Sequence, residues 1–264
     1  MRVIDSHCHL DDRQFDADRE ETIERALAAG VERMMAIGTG NGPPDLEAGL
    51  RLARRYPFMY ATVGVHPHDA AKATAGTFTE LERLAAEEKV LAVGEIGLDY
   101  HYDLSPREVQ REVFAAQLKL AGRAGKPVVI HTREAWADTL RLLRENWSGS
   151  GIMHCFTGTA DEARESLDLG FCLAFGGVLT FPKADAVREA ARQTPEDRLL
   201  VETDAPYLAP APRRGKRNEP AFIVETVRRL AEVRGVPPER IAEATSHNFE
   251  RLCLRPLHGN EYTG

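Results

Sequence analysis

No apolar run in this chain approaches the roughly 20 residues that a membrane-spanning helix requires. The N-terminus carries one arginine, then aspartate and histidine, with no apolar core segment, so it does not read as a signal peptide. Cysteine is scarce. Cys8, Cys155, Cys172 and Cys253 form no CxxC pair, and in a chain this long they read as reduced thiols of a cytoplasmic protein. No Ser/Gly-rich linker, repeat or low-complexity tract interrupts the sequence. A Ser-His-Asp order, a GxSxG elbow and a P-loop are missing, which leaves serine-nucleophile and nucleoside-triphosphate chemistry without support. Positive charge is in deficit. A formal net charge of -7 disfavours broad adhesion to duplex DNA, while a local basic patch stays open.

What is present is alternation. With 264 residues, 43% of them hydrophobic, the chain can fill one large barrel or two ordinary domains. Short apolar runs begin at residue 3 and recur at 31–37, 59–65, 90–93, 127–130, 151–153, 171–175 and 199–201. Helical patterns fall between them, at 16–29, 45–56, 78–88, 106–124, 134–146, 160–169, 183–192 and 220–234, and a last one starts at Pro238 and runs to about residue 252. Eight strand–helix units in series predict an α/β fold, a (β/α)8 TIM barrel over 1–252 closed by a C-terminal helix, with a loose tail over 253–264. In such a barrel the chemistry collects at the carboxyl ends of the strands.

The polar candidates sit there. Residues i and i+2 of a strand share a face, so His7 and His9 in Val3-Ile4-Asp5-Ser6-His7-Cys8-His9-Leu10 present two imidazoles side by side. His66 follows the third run, Glu95 the fourth, His131 the fifth and His154 the sixth. Glu202 and Asp204 follow the eighth. Gly94 and Gly97 flank Glu95, which suggests close backbone approach. Cys8 and Cys155 lie between candidate ligands and read as packing residues that point away from them. Singly, each residue has a plainer reading: Glu95 as a loop carboxylate, His131 or His154 as a rim histidine, Asp204 as a turn cap. Together at one mouth they pile up carboxylates and imidazoles with no counter-ion, and a divalent cation resolves that. The set exceeds what one four-coordinate zinc needs and suits two ions about 3.5–4 Å apart. Mixed imidazole and carboxylate ligation admits Zn, Mn, Co or Fe, and Mg less readily.

Beyond Asp204 a proline-stiffened loop carries Arg213, Arg214, Lys216 and Arg217, which reads as a phosphate-recognition patch. Arg133 has the phase of His131 and is expected at the mouth.

These motifs resemble the TatD family of metal-dependent deoxyribonucleases, within the wider amidohydrolase-like barrels. The resemblance spans nearly the whole chain. It rests on the His-x-His run, Gly64-Val65-His66-Pro67, Gly94-Glu95-Ile96-Gly97-Leu98-Asp99-Tyr100 and Ile130-His131-Thr132-Arg133. It continues through His154-Cys155-Phe156-Thr157-Gly158, Glu202-Thr203-Asp204-Ala205-Pro206-Tyr207-Leu208 and Arg214-Gly215-Lys216-Arg217-Asn218-Glu219-Pro220. It implies one ion held by His7, His9 and Asp204, a second by His131 and His154, and Glu95 as the bridge. It implies hydrolysis of DNA phosphodiesters, often from the 3′ end. Asp204 would orient the water or take its proton, with Glu95 as the other catalytic residue. His66, Arg133, Arg214, Lys216 and Arg217 are the expected substrate contacts. DNA is the expected partner, with tRNA as a further candidate substrate, and no membrane or obligate protein partner is expected. The alternatives are a D-aminoacyl-tRNA deacylase, a small-molecule amide or ester hydrolase on the same barrel, and a non-catalytic metal- or nucleic-acid-binding module.

Overall fold

Each strand is short and apolar on both faces, so the sheet must be covered outside and filled inside. In the computed structural model, which describes residues 1–40 and 42–254, both needs are met by a barrel. The strands are β1 (Val3–Cys8), β2 (Val31–Ala36), β3 (Met59–Val63), β4 (Val90–Asp99), β5 (Val128–Arg133), β6 (Gly151–Met153), β7 (Phe171–Phe175) and β8 (Leu199–Val201). All pairings are parallel, in chain order from β1 to β8. A bridge from Cys8 to Ala205 closes the ring. There the His9 N–H donates to the Ala205 carbonyl at 2.7 Å and the Asp204 N–H to the His7 carbonyl at 2.9 Å. Barrel closure therefore sets Asp204 beside the His7/His9 pair.

Around the sheet lie α1 (Arg19–Ala28), α2 (Ala48–Ala53), α3 (Ala75–Ala85), α4 (Arg107–Ala124), α5 (Trp136–Asn146), α6 (Ala160–Asp168), α7 (Asp185–Gln193) and α8 (Ile223–Arg234). Val3, Met34, Val128, Ile130, Met153, Leu173 and Val201 face these helices. Ile4, Met35, Val129, Ile152, Cys172, Ala174 and Leu200 fill the barrel. Burying one such side chain contributes about 1.5–3 kcal/mol, so each strand is anchored on both faces. A ninth helix, α9 (Pro238–Phe249), crosses the amino end of the barrel and places Phe249 in the interior cluster.

Several sequence boundaries move. The fourth strand was expected to stop at Val93 but runs to Asp99, taking Glu95 into the sheet. The helix expected from residue 16 starts at Arg19, because Asp12 accepts from the Gln14 N–H and caps a 3-10 turn over Arg13–Phe15. The helix expected over 45–56 is confined to Ala48–Ala53. Cys253 belongs to the interior cluster and Leu254 packs against it, so these two residues of the expected tail are not loose; the rest, 255–264, lies outside the described residues. Among the described residues no helix is long and apolar enough to cross a membrane.

Candidate metal centre

Two modes of strand geometry aim side chains into the mouth. Val129 and His131, Ile152 and His154, and Leu200 and Glu202 are pairs two residues apart, so simple alternation carries each interior position up to a polar one. His7 and Glu95 need more. Interior Ile4 and Ala92 lie three residues before them, the wrong phase for plain alternation. An irregularity in register between Asp5 and Cys8, and another between Gly94 and Ile96, supplies the extra residue that turns each inward. Gly97 fits the same locality: its φ is +145°, and a Cβ there would lie 1.9 Å from the His131 carbonyl oxygen.

Glu95 stands at the centre. Its Oε2 lies 3.5 Å from His7 Nε2 and 3.8 Å from His9 Nε2. Its Oε1 lies 2.7 Å from His131 Nδ1, 2.8 Å from His154 Nε2 and 3.6 Å from His66 Nε2. Each oxygen of one carboxylate thus faces its own set of imidazoles. Asp204 Oδ1 joins the first set, 3.4 Å from His9 Nε2 and 3.7 Å from His7 Nε2. The His7 and His154 rings stack at 3.9 Å, which brings the two sets together.

The far nitrogens of the second set meet carboxylates as well. Glu202 Oε1 lies 3.3 Å from His154 Nδ1, and its Oε1 also accepts from the Cys155 N–H at 2.7 Å. Asp99 Oδ2 lies 3.1 Å from His131 Nε2 and 3.0 Å from His68 Nε2. Helix α4 fixes this corner. Gln110 accepts from the Asp99 N–H and donates to its carbonyl, and Gln117 does the same for Val65, next to His66. On β1, Asp5 accepts from the Thr203 hydroxyl at 2.6 Å and from the Thr203 N–H at 3.0 Å, tying that strand to the segment before Asp204.

The electrostatics ask for positive charge. Burial opposes ionisation of Glu95, yet the facing His154, His66 and His131 hold it well below the usual carboxylate range. Burial likewise opposes Asp204, and its hydrogen bond to His9 with nearby His154 and His7 keeps it low. Burial disfavours a charged His9, but Asp204 and Glu95 lift it to about 9. His131 and His154 are raised by their carboxylate neighbours against the same burial. Burial and its neighbour His154 push His7 down to about 3; burial, with His131 and His68 adding to it, takes His66 to about 4. Among the described residues, buried His7 Nδ1 and Glu202 Oε2 have no hydrogen-bond partner. A site that draws protons onto three imidazoles, and offers nitrogen and oxygen donors within ligand-sharing distance, fits divalent cations.

The centre opens into a cleft of about 1130 Å³ lined by His9, Arg13, His66, His68, Tyr102, Arg133 and Tyr207 among others. Of the expected substrate contacts, His66 and Arg133 line it. Arg214, Lys216 and Arg217 do not line it. Arg217 pairs with Asp18 at 2.7 Å, donates to the Gln14 carbonyl and lies over the Phe15 ring, while Arg214 lies over Phe181 at 3.7 Å. Cys8 is buried, with its thiol 3.6 Å from the Met35 carbonyl, as a packing residue should be. Sequence reasoning passed over Asp99 and His68. Reading β4 through to Asp99 puts that residue four positions from Glu95 on the same face, a signal lost when the strand was ended at Val93.

The chain is 43% identical to a Bacillus subtilis protein named as an uncharacterized metal-dependent hydrolase, YabD, over 95% of this chain and 98% of that one. It is 38% identical to a Citrobacter rodentium protein named 3′-5′ ssDNA/RNA exonuclease TatD, covering 95% and 97%. The crystal structure of the Escherichia coli TatD homolog YjjV superposes with a TM-score of 0.89 at 32% identity, covering 97% and 99%. Residues 4–253 match the family model described as TatD related DNase. The chain belongs to this TatD related DNase family and is a metal-dependent hydrolase.

Proposed function

We propose that the protein is a nuclease that removes nucleotides from the 3′ end of single-stranded DNA or RNA, using two divalent cations. The observation that carries the two-ion reading is the division of Glu95, with Oε2 toward His7 and His9 and Oε1 toward His131 and His154. The exonuclease name of the Citrobacter relative supports the choice of substrate.

His7, His9 and Asp204 would hold one cation, His131 and His154 the other, with Glu95 between them. Divalent cations there supply Lewis acidity, which makes water more acidic and offsets charge building on a phosphoryl group. The chain's own groups do the rest. Asp204, kept anionic, accepts a proton from the attacking water and orients it in line with the departing oxygen. A P–O bond to water forms, the ester P–O bond breaks, and the proton taken by Asp204 returns to the leaving oxygen. His66 is held neutral near pH 7 by its burial and donates an N–H to a phosphoryl oxygen. Arg133, exposed at the rim, meets the phosphate outside the centre.

The test is a hydrolysis panel on protein of defined metal content. It compares end-labelled single-stranded and duplex DNA, RNA, D-aminoacyl-tRNA and simple lactones. The expected result is stepwise release of mononucleotides from the 3′ end of single strands. Turnover of the aminoacyl ester or lactone with no nucleotide release would overturn the reading.

A further inference from the structure

We propose that Tyr102 is a base-stacking platform and that with Arg133 it forms the subsite for the nucleotide next to the phosphodiester being cleaved. The proposal rests on the nuclease reading and names the part of the chain that would recognise a nucleobase.

Among the described residues only six large apolar or aromatic side chains are strongly exposed: Met1, Leu27, Tyr102, Leu104, Tyr207 and Leu208. Tyr102, Tyr207 and Leu208 line the cleft at the metal centre. Tyr102 is 54% exposed, the most open of these three. Three of the six thus gather in one cleft, and exposed apolar surface that clusters in a groove marks a place that a ligand covers.

The ring is also held in place. The Tyr102 N–H donates to Asp99 Oδ1 at 2.9 Å. His68 meets the ring edge-on at 5.4 Å and 88°, and His101 at 4.9 Å and 79°. The other oxygen of Asp99 meets His131, so a single carboxylate ties the Tyr102 backbone to an imidazole of the metal centre. A rigid aromatic has little freedom to lose when a base stacks on it.

Arg133 completes the subsite. Its guanidinium carbon lies 4.7 Å from the Tyr102 ring centroid. Three other arginines in the cleft are paired, Arg19 with Asp16, Arg51 with Asp45 and Arg55 with Glu20, and among the described residues Arg13 alone shares the unpaired state of Arg133 there. Arg133 has no carboxylate within ion-pair distance among the described residues, so its charge is available to a phosphate. Aromatic rings beside unneutralised arginine are what a single strand needs, because every base has a π-face and every linkage a charge. A small ester brings a phosphate but no base.

The experiment uses Tyr102→Ala and Tyr102→Phe with three substrates: a single-stranded oligonucleotide, the same strand with abasic residues at its 3′ end, and a small chromogenic phosphodiester. Tyr102→Ala should raise KM for the normal strand by about 5- to 100-fold, in line with the stacking contribution of one base. It should leave turnover of the chromogenic ester unchanged, and Tyr102→Phe should behave as wild type. Wild type should bind the abasic strand as poorly as Tyr102→Ala binds the normal one, with no further loss when both changes are combined. Equal loss on all substrates would make the ring a structural support and overturn the proposal, as would an unchanged KM for the normal strand. Failure of wild type itself to release nucleotides would remove the nuclease reading, and this subsite with it, a result separable from failure of the variant alone.

Discussion

His131 lies between two carboxylates, with Nδ1 2.7 Å from Glu95 Oε1 and Nε2 3.1 Å from Asp99 Oδ2. Asp99 is held well below the usual carboxylate range; burial opposes this, but hydrogen bonds from His131 and His68 prevail. Asp99 therefore acts as an acceptor toward Nε2, and in the two-ion reading this would leave Nδ1 as the nitrogen that faces the cation beside Glu95. Asp99→Asn keeps one acceptor oxygen, which can still take the N–H groups of His101 and Tyr102. Its amide would face His131 as a donor and reverse the tautomer. Metal affinity should fall by about 10- to 100-fold with the fold retained. Metal titration checks this; wild-type affinity in the variant would show that Asp99 does not orient the ring.

Chelation should abolish hydrolysis, and a transition metal should restore it. Metal should also stabilise the fold, since ligands gather only in the native chain: at a hundredfold excess over Kd the gain is about 2.7 kcal/mol. A melting curve with and without chelator reads that directly. Full activity in protein shown by elemental analysis to be metal-free would sink the metal reading.

Asp204→Asn keeps the shape of the side chain but removes its charge and its proton acceptor. Turnover should drop by roughly 10²-fold or more. The backbone N–H of residue 204 would still reach the His7 carbonyl, so the variant should fold. Near wild-type turnover would place the proton acceptor elsewhere, and Glu202 is the next group to substitute. Burial raises its carboxyl to about 7, against the pull of His154.

Glu95→Ala tests the bridge. Both imidazole sets face this one carboxylate, so its loss should cost metal occupancy as well as rate. A variant that binds both ions with wild-type affinity would leave the bridging role to another group.

The legible part of the site was the part built by plain alternation. His131 and His154 continue the phase of Val129 and Ile152, and apolar runs ending in polar residues gave the barrel. His7 and Glu95 were found by residue type, whereas their inward aim depends on irregular registers that no hydrophobic pattern announces. The end of β4 was hidden because Glu95, Gly97 and Asp99 do not resemble a strand; its hydrogen bonds come from β5, and Gln110 reaches the Asp99 backbone. The direction in which the basic loop points was not legible, because charge in sequence carries no direction. Arg217 meets Asp18, which lies 199 residues earlier in the chain.

The position of that loop outside the cleft lining gives the last prediction. If a single strand lies in the cleft, its flanking phosphates meet Arg13 and Arg133, the cleft arginines that make no ion pair among the described residues. Arg13 follows β1 and Arg133 ends β5, which are opposite strands of the eight-stranded ring. Each phosphate neutralised on a single strand contributes about -0.7 to the slope of log affinity against log salt. Neutralising Arg13 and Arg133 together should therefore flatten that slope by roughly one unit or more. Neutralising Arg214 and Lys216 should leave it unchanged, because neither lines the cleft. Oligonucleotide binding by both double variants across a salt series decides the matter, with turnover of a small phosphodiester as the control for an intact centre. The reverse outcome, a flattened slope only in the loop variant, would mean that the strand leaves the cleft over the β8 loop and that the rim arginines serve another purpose.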